Sequence, residues 1–315
     1  CEYLDRWGVE YERGIAGTGI VAMVRGKKPG KTVGIRADMD ALPVEEENDV
    51  PYRSEQPGVM HACGHDCHIS MLLGGVKMLM DHRDELKGNV RILFQPAEEV
   101  AMGAKYMIEH GALDGVDAIY GAHIWGGFEA PYLNFESGPR MASADNFTIE
   151  VEGVSAHGSA PHQGVDAILA AAHIITEVQA IVSRMNDPLN PLVVTIGEIH
   201  GGQRFNIIAN KVVMEGTTRT HSAEMRGKTE GLLRNIVEHV AESFGAKATL
   251  KFDYYPGPVI NDHEDLNRIA NAAAVKMYGE DCLKSLPKMM GSEDFAMYME
   301  KVPGIFGFIG SRNEK

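Results

Sequence analysis

The sequence predicts an α/β protein with a ferredoxin-like α+β domain inserted into it. Its 315 residues, at about 150 residues per domain, indicate two domains. Apolar runs alternate with helical patterns in the first and last parts of the chain, as in a mostly parallel sheet flanked by helices. The pattern changes in the middle. We therefore expect residues 1–143 and 256–315 to form one domain, and residues 144–255 the inserted one.

Three short apolar runs predict the buried strands of the first domain, and two helical patterns lie between them. The strands are expected over 32–36, 89–94 and 117–122, and the helices over 67–81 and 103–110. Each strand ends in polar residues. Because open α/β sheets bind ligands beyond the carboxyl ends of their strands, we expect the chemistry at that edge.

The inserted domain is predicted from the element order βαββαβ, which is typical of ferredoxin-like folds. Its elements are expected at 146–151 (strand), 165–184 (helix), 192–199 and 211–220 (strands), 224–244 (helix) and 248–254 (strand). After Pro256 and Pro258 the α/β pattern returns. There we expect helices over 265–278 and 293–302 and a strand over 305–309.

Charge and hydropathy exclude two classes of partner. The formal net charge of −14 repels phosphate backbones, so we expect no nucleic acid partner. No apolar run approaches the roughly 20 residues of a membrane helix, so we expect no membrane partner.

Four cysteines without framework spacing favour a reducing compartment, by default the cytoplasm. The chain begins at Cys1 without a signal-peptide pattern, and we interpret it as a fragment whose natural start is missing.

Residues 61–68, HACGHDCH, place three imidazoles, two thiols and a carboxylate together. Thiolate and imidazole are good ligands for borderline metals. In an extended segment, the alternate residues Cys63 and His65 can face the same side. A structural zinc clip or a cluster of capping residues is the alternative, but we expect a metal site.

Two adjacent carboxylates, Glu98 and Glu99, follow the second predicted strand, and His123 closes the third. Adjacent residues of an extended chain point in opposite directions. One carboxylate can therefore bind a metal while the other acts as a general base. A solvated loop is the alternative for the glutamates. For His123 the alternative is a residue at the sheet edge whose ring nitrogens are hydrogen-bonded within the protein.

After the first strand, Asp40 is expected to hold a ligating imidazole through its free N–H, with a simple turn as the alternative.

Six motifs occur in order: RADMDALP, HACGHDCH, QPAEE, GAHIW, SAHGSAPH and GSEDF. Together they resemble the two-metal aminoacylase and carboxypeptidase family, in particular its hippurate hydrolase and indole-acetyl-amino-acid hydrolase branch. The resemblance covers essentially the whole chain. It implies an α/β/α metallopeptidase-like catalytic domain, an inserted domain for dimerisation or as a lid, and a homodimer. It also implies two divalent metal ions per subunit (Mn, Zn, Co or Ni) and hydrolysis of N-acyl amino acids by a metal-activated water.

The resemblance further implies roles for five residues. Cys63 matches the metal-bridging thiolate of the family. His65 and His123 match its imidazole ligands, and Glu99 its carboxylate ligand. Glu98 matches the general base, which takes the proton of the water and passes it to the leaving amine.

In the inserted domain, His157 matches a histidine that relatives send into the active site of the partner subunit. An imidazole there would stabilise the developing oxyanion. Asn206 and Arg219 resemble a substrate-holding asparagine and a carboxylate-binding arginine. A loop polar group is the alternative for His157, and a strand-end surface charge for Arg219.

The chain departs from the family pattern in three ways. The family has a further histidine ligand beyond the strand represented here by 305–310, whereas this chain stops at Lys315. Its N-terminal helical segment is largely absent. We expect both to reflect truncation, which leaves the ligand set incomplete. Residues 100–102, Val-Ala-Met, stand where many relatives carry glycines, and we expect them to alter the substrate pocket.

Two other functions remain open at this point. A dipeptidase, a carboxypeptidase or an N-acetyl-diaminopimelate deacetylase would use the same site on a different substrate. A non-catalytic metal-binding or ligand-binding protein could keep the fold without the reaction. The presence of both Glu98 and Glu99 argues against the second alternative.

Overall fold

The computed structural model describes residues 1–313, which form two compact units. The first unit consists of residues 1–140, 259–288 and those from Glu293 onward. The second consists of residues 141–258 and 289–292. The second unit thus interrupts the first in sequence. It begins and ends a few residues outside the predicted inserted domain, 144–255.

The described part of the chain contains the following strands and helices. The strands are β1 (Glu10–Ile15), β2 (Gly19–Arg25), β3 (Lys28–Asp38), β4 (Lys87–Gln95), β5 (Ala118–Glu129), β6 (Leu133–Asn134), β7 (Gly138–Met141), β8 (Asp145–Glu152), β9 (Leu192–Gly201), β10 (Lys211–Thr220), β11 (Lys247–Tyr254), β12 (Val259–Asn261) and β13 (Gly304–Arg312). The helices are α1 (Glu2–Trp7), α2 (His65–Asp81), α3 (Gly103–Glu109), α4 (Ala167–Glu177), α5 (Ala223–Ser243), α6 (Glu264–Tyr278) and α7 (Ala296–Met299).

The first unit contains a seven-stranded sheet of order β1-β2-β4-β3-β5-β13-β6. Strands β4, β3, β5 and β13 are parallel to one another, whereas β1, β2 and β6 pair in antiparallel fashion. The three predicted buried strands correspond to β3, β4 and β5. Hairpin β1–β2 has no sequence signal, because β1 is exposed along most of its length and has no apolar run.

The second unit contains a four-stranded antiparallel sheet of order β11-β8-β10-β9. Helices α4 and α5 pack on this sheet and enclose its core. The chain order β8, α4, β9, β10, α5, β11 is the βαββαβ order of a ferredoxin-like domain. The predicted fold class, an α/β domain with an inserted α+β domain, is confirmed.

The predicted helix over 165–184 corresponds to a helical segment over Ala167–Met185, which starts two residues later than predicted. Helix α4 begins at Ala167 because the carboxylate of Asp166 accepts hydrogen bonds from the backbone N–H groups of the second and third helical residues. It ends at Glu177, and a π-helical turn follows over Ile181–Met185. A capping residue thus sets the start of this helix.

Among the described residues, one helical segment, Ala167–Met185, is long and apolar enough to cross a membrane by length and composition. Its apolar residues Ala171, Ile174, Val178 and Ile181 are 0% exposed in the core of the second unit. The apolar face of this segment therefore packs against the sheet.

The predicted helix over 293–302 is also wrong, since α7 covers only Ala296–Met299. Glu293 and Asp294 precede it in an irregular turn and are buried. The Glu293 carboxylate accepts a hydrogen bond from the N–H of Phe295 at 3.0 Å. Both acidic side chains also pair with Arg36. These contacts hold the acidic residues in a turn and shorten the helix.

Candidate metal centre

The candidate site lies at the carboxyl edge of the parallel strands. Asp38, the last residue of β3, stands opposite Gln95, the last residue of β4. The segments that follow these two strands therefore leave the sheet side by side. Helix α2 begins at His65, and His123 lies midway along β5, two residues beyond the last residue that pairs with β3. This is the edge at which the sequence predicts the chemistry.

Three groups of potential metal donors share the imidazole of His65. Donor atoms of Cys63, His65 and His123 lie within 4.8 Å of one another, as do those of His65, Glu98 and Glu99 and those of Asp38, His65 and His68. The Cys63 Sγ lies 3.4 Å from the His123 Nε2. The structure thus brings together all five residues to which the resemblance assigns the metals and the general base. Their roles as ligands and base stay predictions.

Asp40 contacts two of these residues. Its Oδ1 and its backbone oxygen lie 3.2 Å and 3.1 Å from the His65 Nδ1, and its Oδ2 accepts a hydrogen bond from the N–H of Glu99 at 3.0 Å. Burial raises the pKa of Asp40, but the hydrogen bonds to His65 and Glu99 outweigh it and lower that pKa. Asp40 is therefore a carboxylate in contact with the ring of His65, and its role in orienting a metal-binding imidazole stays a prediction.

The second ring nitrogen of His65 is suited to bind a cation. The Nε2 is buried and has no hydrogen-bond partner among the described residues. It lies 3.7 Å from an Asp38 oxygen and 3.8 Å from a Glu99 oxygen. Burial lowers the pKa of His65, but the hydrogen bond to Asp40 and the charge of Asp38 raise it to about 11. These surroundings favour positive charge at the Nε2, which a bound metal ion would supply in place of a second proton, so the residues present fit a metal ion.

Glu98 faces other carboxylates. Its oxygens and those of Glu293 and Asp294 lie within 4.8 Å of one another. Burial and the charge of Glu293 raise the pKa of Glu98, although the nearby Arg36 guanidinium opposes them. Such crowding disfavours a full set of negative charges and is relieved by nearby positive charge. This part of the site is also suited to a cation.

A buried ion network that is not among the sequence predictions lies beneath the site. Arg36 lies 2.5 Å from Asp38, 3.0 Å from Glu293 and 2.8 Å from Asp294. It also donates a hydrogen bond to Gln95 at 2.8 Å. All of these residues are buried. The signal that could have revealed them is their position within the motifs RADMDALP, QPAEE and GSEDF.

His68 is one of the three imidazoles in the motif of residues 61–68, and the sequence predicts no separate role for it. Its Nδ1 lies 2.5 Å from the Asp38 Oδ1, and its Nε2 accepts a hydrogen bond from the N–H of Ile124 at 2.9 Å. Its ring centroid is 4.6 Å from that of His123. Both nitrogens of His68 thus have partners within the protein, unlike those of His65.

The three site residues predicted for the inserted domain lie in the second unit. His157 is exposed, and its Nδ1 is 2.7 Å from the Ser159 Oγ. A bridge between His157 and Ile207 places Asn206 beside it. The Asn206 Oδ1 is buried without a hydrogen-bond partner among the described residues. Arg219, in β10, donates a hydrogen bond to the Ser292 Oγ at 3.0 Å. The structure brings His157 and Asn206 together, and the roles of all three stay predictions.

The segment after the paired glutamates has unusual backbone geometry. Ala101 has a φ of 55° and Ala97 a φ of 60°, in the left-handed region that favours glycine. The N–H of Ala101 donates a hydrogen bond to the carbonyl of Glu98 at 2.7 Å. The turn that carries both glutamates is therefore strained at two alanines, one of them within the segment where many family members are expected to carry glycines.

Residues 34–315 match the family model described as peptidase family M20/M25/M40. The chain is 41% identical over 322 residues to thermostable carboxypeptidase 2 of Saccharolobus solfataricus, covering 100% of this chain and 80% of that protein. It is 40% identical over 308 residues to N-acetyl-L-cysteine deacetylase of Bacillus subtilis, covering 98% of this chain and 73% of that protein.

A solved structure is similar throughout. The Bacillus subtilis YXEP protein, described as a dinuclear metal binding peptidase from the M20 family, superimposes with a TM-score of 0.86 at 36% identity, covering 100% of this chain and 82% of that one. The predicted resemblance to a two-metal hydrolase family is confirmed. With the family model, the relatives and the donor geometry in agreement, the chain belongs to peptidase family M20/M25/M40 and is a metal-dependent hydrolase of amide bonds.

Proposed function

We propose that the protein hydrolyses N-acyl amino acids to a carboxylic acid and a free amino acid. The observation that carries this proposal is that His65 lies in one donor group with Cys63 and His123 and in another with Glu98 and Glu99. The relative named N-acetyl-L-cysteine deacetylase supports this class of substrate. A carboxypeptidase activity is the second candidate, because another relative of similar identity is named a carboxypeptidase.

Two divalent cations would be held by Cys63, His65, Glu99 and His123. Thiolate, imidazole and carboxylate together suit Mn, Zn, Co or Ni. When bound, such cations act as Lewis acids that polarise an amide carbonyl and make a water molecule more acidic. Asp40 orients the ring of His65 through its Nδ1, which directs the Nε2 lone pair towards the site.

Glu98 acts as the general base in this proposal. It takes the proton from the attacking water and delivers it to the leaving nitrogen, so that the amide breaks without a covalent enzyme intermediate. Its position supports this role, because a donor oxygen of Glu98 lies within 4.8 Å of donor atoms of His65 and Glu99. Glu99, with an oxygen 3.8 Å from the His65 Nε2, is the proposed ligand, which leaves Glu98 for this task.

Three residues of the second unit complete the proposal. His157 stabilises the oxyanion that develops on the carbonyl, and its exposed ring is available to do so in the active site of a partner subunit. Asn206 holds the substrate, for which its unpartnered Oδ1 is suited. Arg219 binds the substrate carboxylate. Its half-buried guanidinium has no ion-pair partner among residues 1–313, and burial lowers its pKa.

The substrate proposal is tested with a pooled panel of N-acyl amino acids and dipeptides. Free amino acids are quantified by mass spectrometry with and without added Mn²⁺ or Zn²⁺, and a Glu98→Gln preparation serves as the control for contaminating enzymes. We expect metal-dependent release from the N-acyl amino acids. Release from the dipeptides alone would select the peptidase candidate. No release, with metal bound, would favour a binding protein.

We also propose that the protein is a homodimer formed through the second unit. Strand β9 is an edge strand of its sheet, with most of its second half exposed. Unpaired edges of this kind can pair with another chain. Near it lie apolar side chains with large exposed fractions, including Ile199 at 49% and Phe205 at 95%. A second copy at this edge would cover them.

The dimer is tested by light scattering on the eluate of a sizing column. We expect Ile199→Asp to shift the protein towards the monomer, because it buries a charge in the contact. Leu189→Asp is the matched control, since Leu189 is 88% exposed and lies outside β9. An unchanged mass for Ile199→Asp would refute this interface.

We propose that the protein functions in the cytoplasm. All four cysteines are free thiols, and the predicted role of Cys63 requires a thiolate. A reducing compartment preserves that state. The hydrolytic activity is measured in a reducing buffer and after thiol oxidation. Loss of activity on oxidation would agree with a cytoplasmic location, whereas activity that is unchanged by oxidation would remove the support for it.

A further inference from the structure

His68, the third histidine of the motif of residues 61–68, has a different hydrogen-bonding environment from His65 and His123. His65 has an unpartnered Nε2, and the His123 Nε2 faces the Cys63 sulfur. His68, by contrast, is 3% exposed and uses both nitrogens within the protein. A neutral imidazole has one donor and one acceptor nitrogen. Because its Nε2 accepts from a backbone N–H, its proton must lie on the Nδ1, where Asp38 accepts it.

The backbone group that His68 holds lies where pairing between two strands has ended. The pairing of β3 with β5 runs from Val33–Ala118 to Arg36–Gly121. Ile124 lies three residues beyond its last pair. A buried N–H left without an acceptor is costly. The His68 Nε2 supplies the acceptor at this position, 2.9 Å away.

The same residue, Ile124, orients a predicted metal ligand. Its carbonyl oxygen accepts a hydrogen bond from the Nδ1 of His123. This leaves the His123 Nε2 free to face Cys63 at 3.4 Å. The side chain of Ile124 packs so closely on Gly64 that a methyl group there would overlap its Cδ1. The backbone of Ile124 is thus held by His68 at its N–H and holds His123 at its carbonyl.

We propose that His68 is a positioning residue that fixes His123 through the backbone of Ile124, and that it is not itself a metal ligand. This inference rests on the proposed function, because it takes His123 to be a ligand. The chain of contacts continues to the interior, since Asp38 is in turn bound by the buried Arg36. Groups that orient metal-binding histidines typically contribute about 10–100-fold to metal affinity.

Two substitutions separate the hydrogen bonds of His68. An asparagine amide lies near the position of the Nδ1 and can still donate to Asp38, but it does not reach Ile124. A glutamine amide lies near the position of the Nε2 and can still accept from the Ile124 N–H. His68→Gln should therefore preserve the positioning of His123, and His68→Asn should lose it.

The experiment is a titration of the metal-free protein with Co²⁺, followed by absorption of the thiolate-to-cobalt band and by equilibrium competition with a chelator. We expect His68→Asn to raise the Kd for Co²⁺ about 10–100-fold without changing the number of ions bound. His68→Gln should bind like the unsubstituted protein. His173→Asn and His173→Gln, on the exposed face of α4, are the matched controls and should change neither quantity.

Three results would overturn the inference. Loss of a whole bound ion in both variants would make His68 a ligand. Tighter Co²⁺ binding by the asparagine variant than by the glutamine variant would mean that His68 acts only through its hydrogen bond to Asp38. Co²⁺ binding equal to that of the unsubstituted protein in both variants would mean that His68 does not position His123.

A measurement on the unsubstituted chain covers the case in which a variant does not fold. The protein is labelled with ¹⁵N-histidine and loaded with ¹¹³Cd²⁺. Cadmium coupling to two imidazoles is expected, and coupling to three would contradict the proposal. All of these readouts are independent of substrate, so failure of the substrate panel would not affect them. A chain that binds no Co²⁺ would refute the inference whatever the panel gives.

Discussion

The Nδ1 of His65 lies 3.2 Å from the Oδ1 of Asp40, whereas the buried Nε2 of the same ring has no hydrogen-bond partner among the described residues. In the proposed site, Asp40 would orient the ring through the Nδ1 and leave the Nε2 to bind a cation. Because His65 lies in one donor group with Cys63 and His123 and in another with Glu98 and Glu99, its orientation should affect both predicted cation positions. Substitutions around it should therefore change metal binding and turnover in separable ways.

Substitution of the predicted bridging thiol should reduce metal content. Cys63→Ala removes the only sulfur donor found in the donor groups of residues 1–313. We expect fewer than two bound Co²⁺ ions and loss of the thiolate-to-cobalt absorption band. Cys67→Ala, four residues along the chain and exposed, is the matched control. An unchanged stoichiometry in Cys63→Ala would exclude a bridging role.

Substitution of the predicted general base should stop turnover without loss of metal. Glu98→Gln keeps the shape of the side chain but cannot take up the proton, so kcat should fall about 10²–10⁴-fold. Glu99→Gln should instead weaken metal binding, because it alters a ligand. Metal content and kcat are measured on the same preparations. Substantial activity in metal-loaded Glu98→Gln would show that another group is the base.

Relief of backbone strain after the glutamates should stabilise the fold. Ala101 has a φ of 55°, a conformation that costs an L-residue with a side chain roughly 1–2 kcal/mol. Ala101→Gly should raise the free energy of unfolding by about 1 kcal/mol, since the greater entropy of unfolded glycine offsets part of the gain. Urea denaturation measures the change.

Ala104→Gly is the control for this experiment. Ala104 is 0% exposed in α3, and the substitution should lower the free energy of unfolding by about 1 kcal/mol. A loss of similar size in Ala101→Gly would show that residue 101 is not strained.

The carboxylate of Glu136 should make stability depend on pH. Burial raises its pKa, but hydrogen bonds from Asn134, Ser285 and the N–H of Leu286 outweigh it and lower that pKa below the ordinary value. A carboxylate with a lowered pKa stabilises the fold above its unfolded pKa. That contribution is lost as the pH falls through the folded pKa.

The contribution of Glu136 is measured as a difference. The free energy of unfolding of the unsubstituted protein minus that of Glu136→Gln should be largest above about pH 6 and should shrink below about pH 4, near the ordinary pKa of glutamate. Glu129→Gln is the control, because the one ion pair of the Glu129 carboxylate among residues 1–313 is a 3.9 Å contact with Arg312. A difference for Glu136→Gln that does not change with pH would contradict the assignment.

The sequence predicted those parts of the fold that have local signals. Apolar runs located β3, β4 and β5, and the polar residues that follow β3 and β4 lie at one sheet edge. Hairpin β1–β2 gave no such signal, because the exposed residues of β1 do not form an apolar run. The true start of α4 depended on one side chain, Asp166, capping two N–H groups.

Residue type and position in the sequence were enough to predict the site residues. The side chains that hold them in place could be identified only from the structure. Arg36 and Asp294 are 258 positions apart in sequence and 2.8 Å apart in space. The acidic residues before α7 resemble the charged start of an exposed helix, but they are turned inward to this arginine. Likewise, no sequence pattern distinguishes His68, with both nitrogens occupied, from His65, with one free.

The most direct test of the account is removal and return of the metal. The protein is treated with a chelator, freed of it, and assayed for release of free amino acid from N-acyl amino acids before and after addition of Mn²⁺, Zn²⁺ or Co²⁺. We predict that the metal-free protein is inactive and that activity rises with added metal until two ions are bound per chain. Full activity in protein shown to contain no metal would contradict the account.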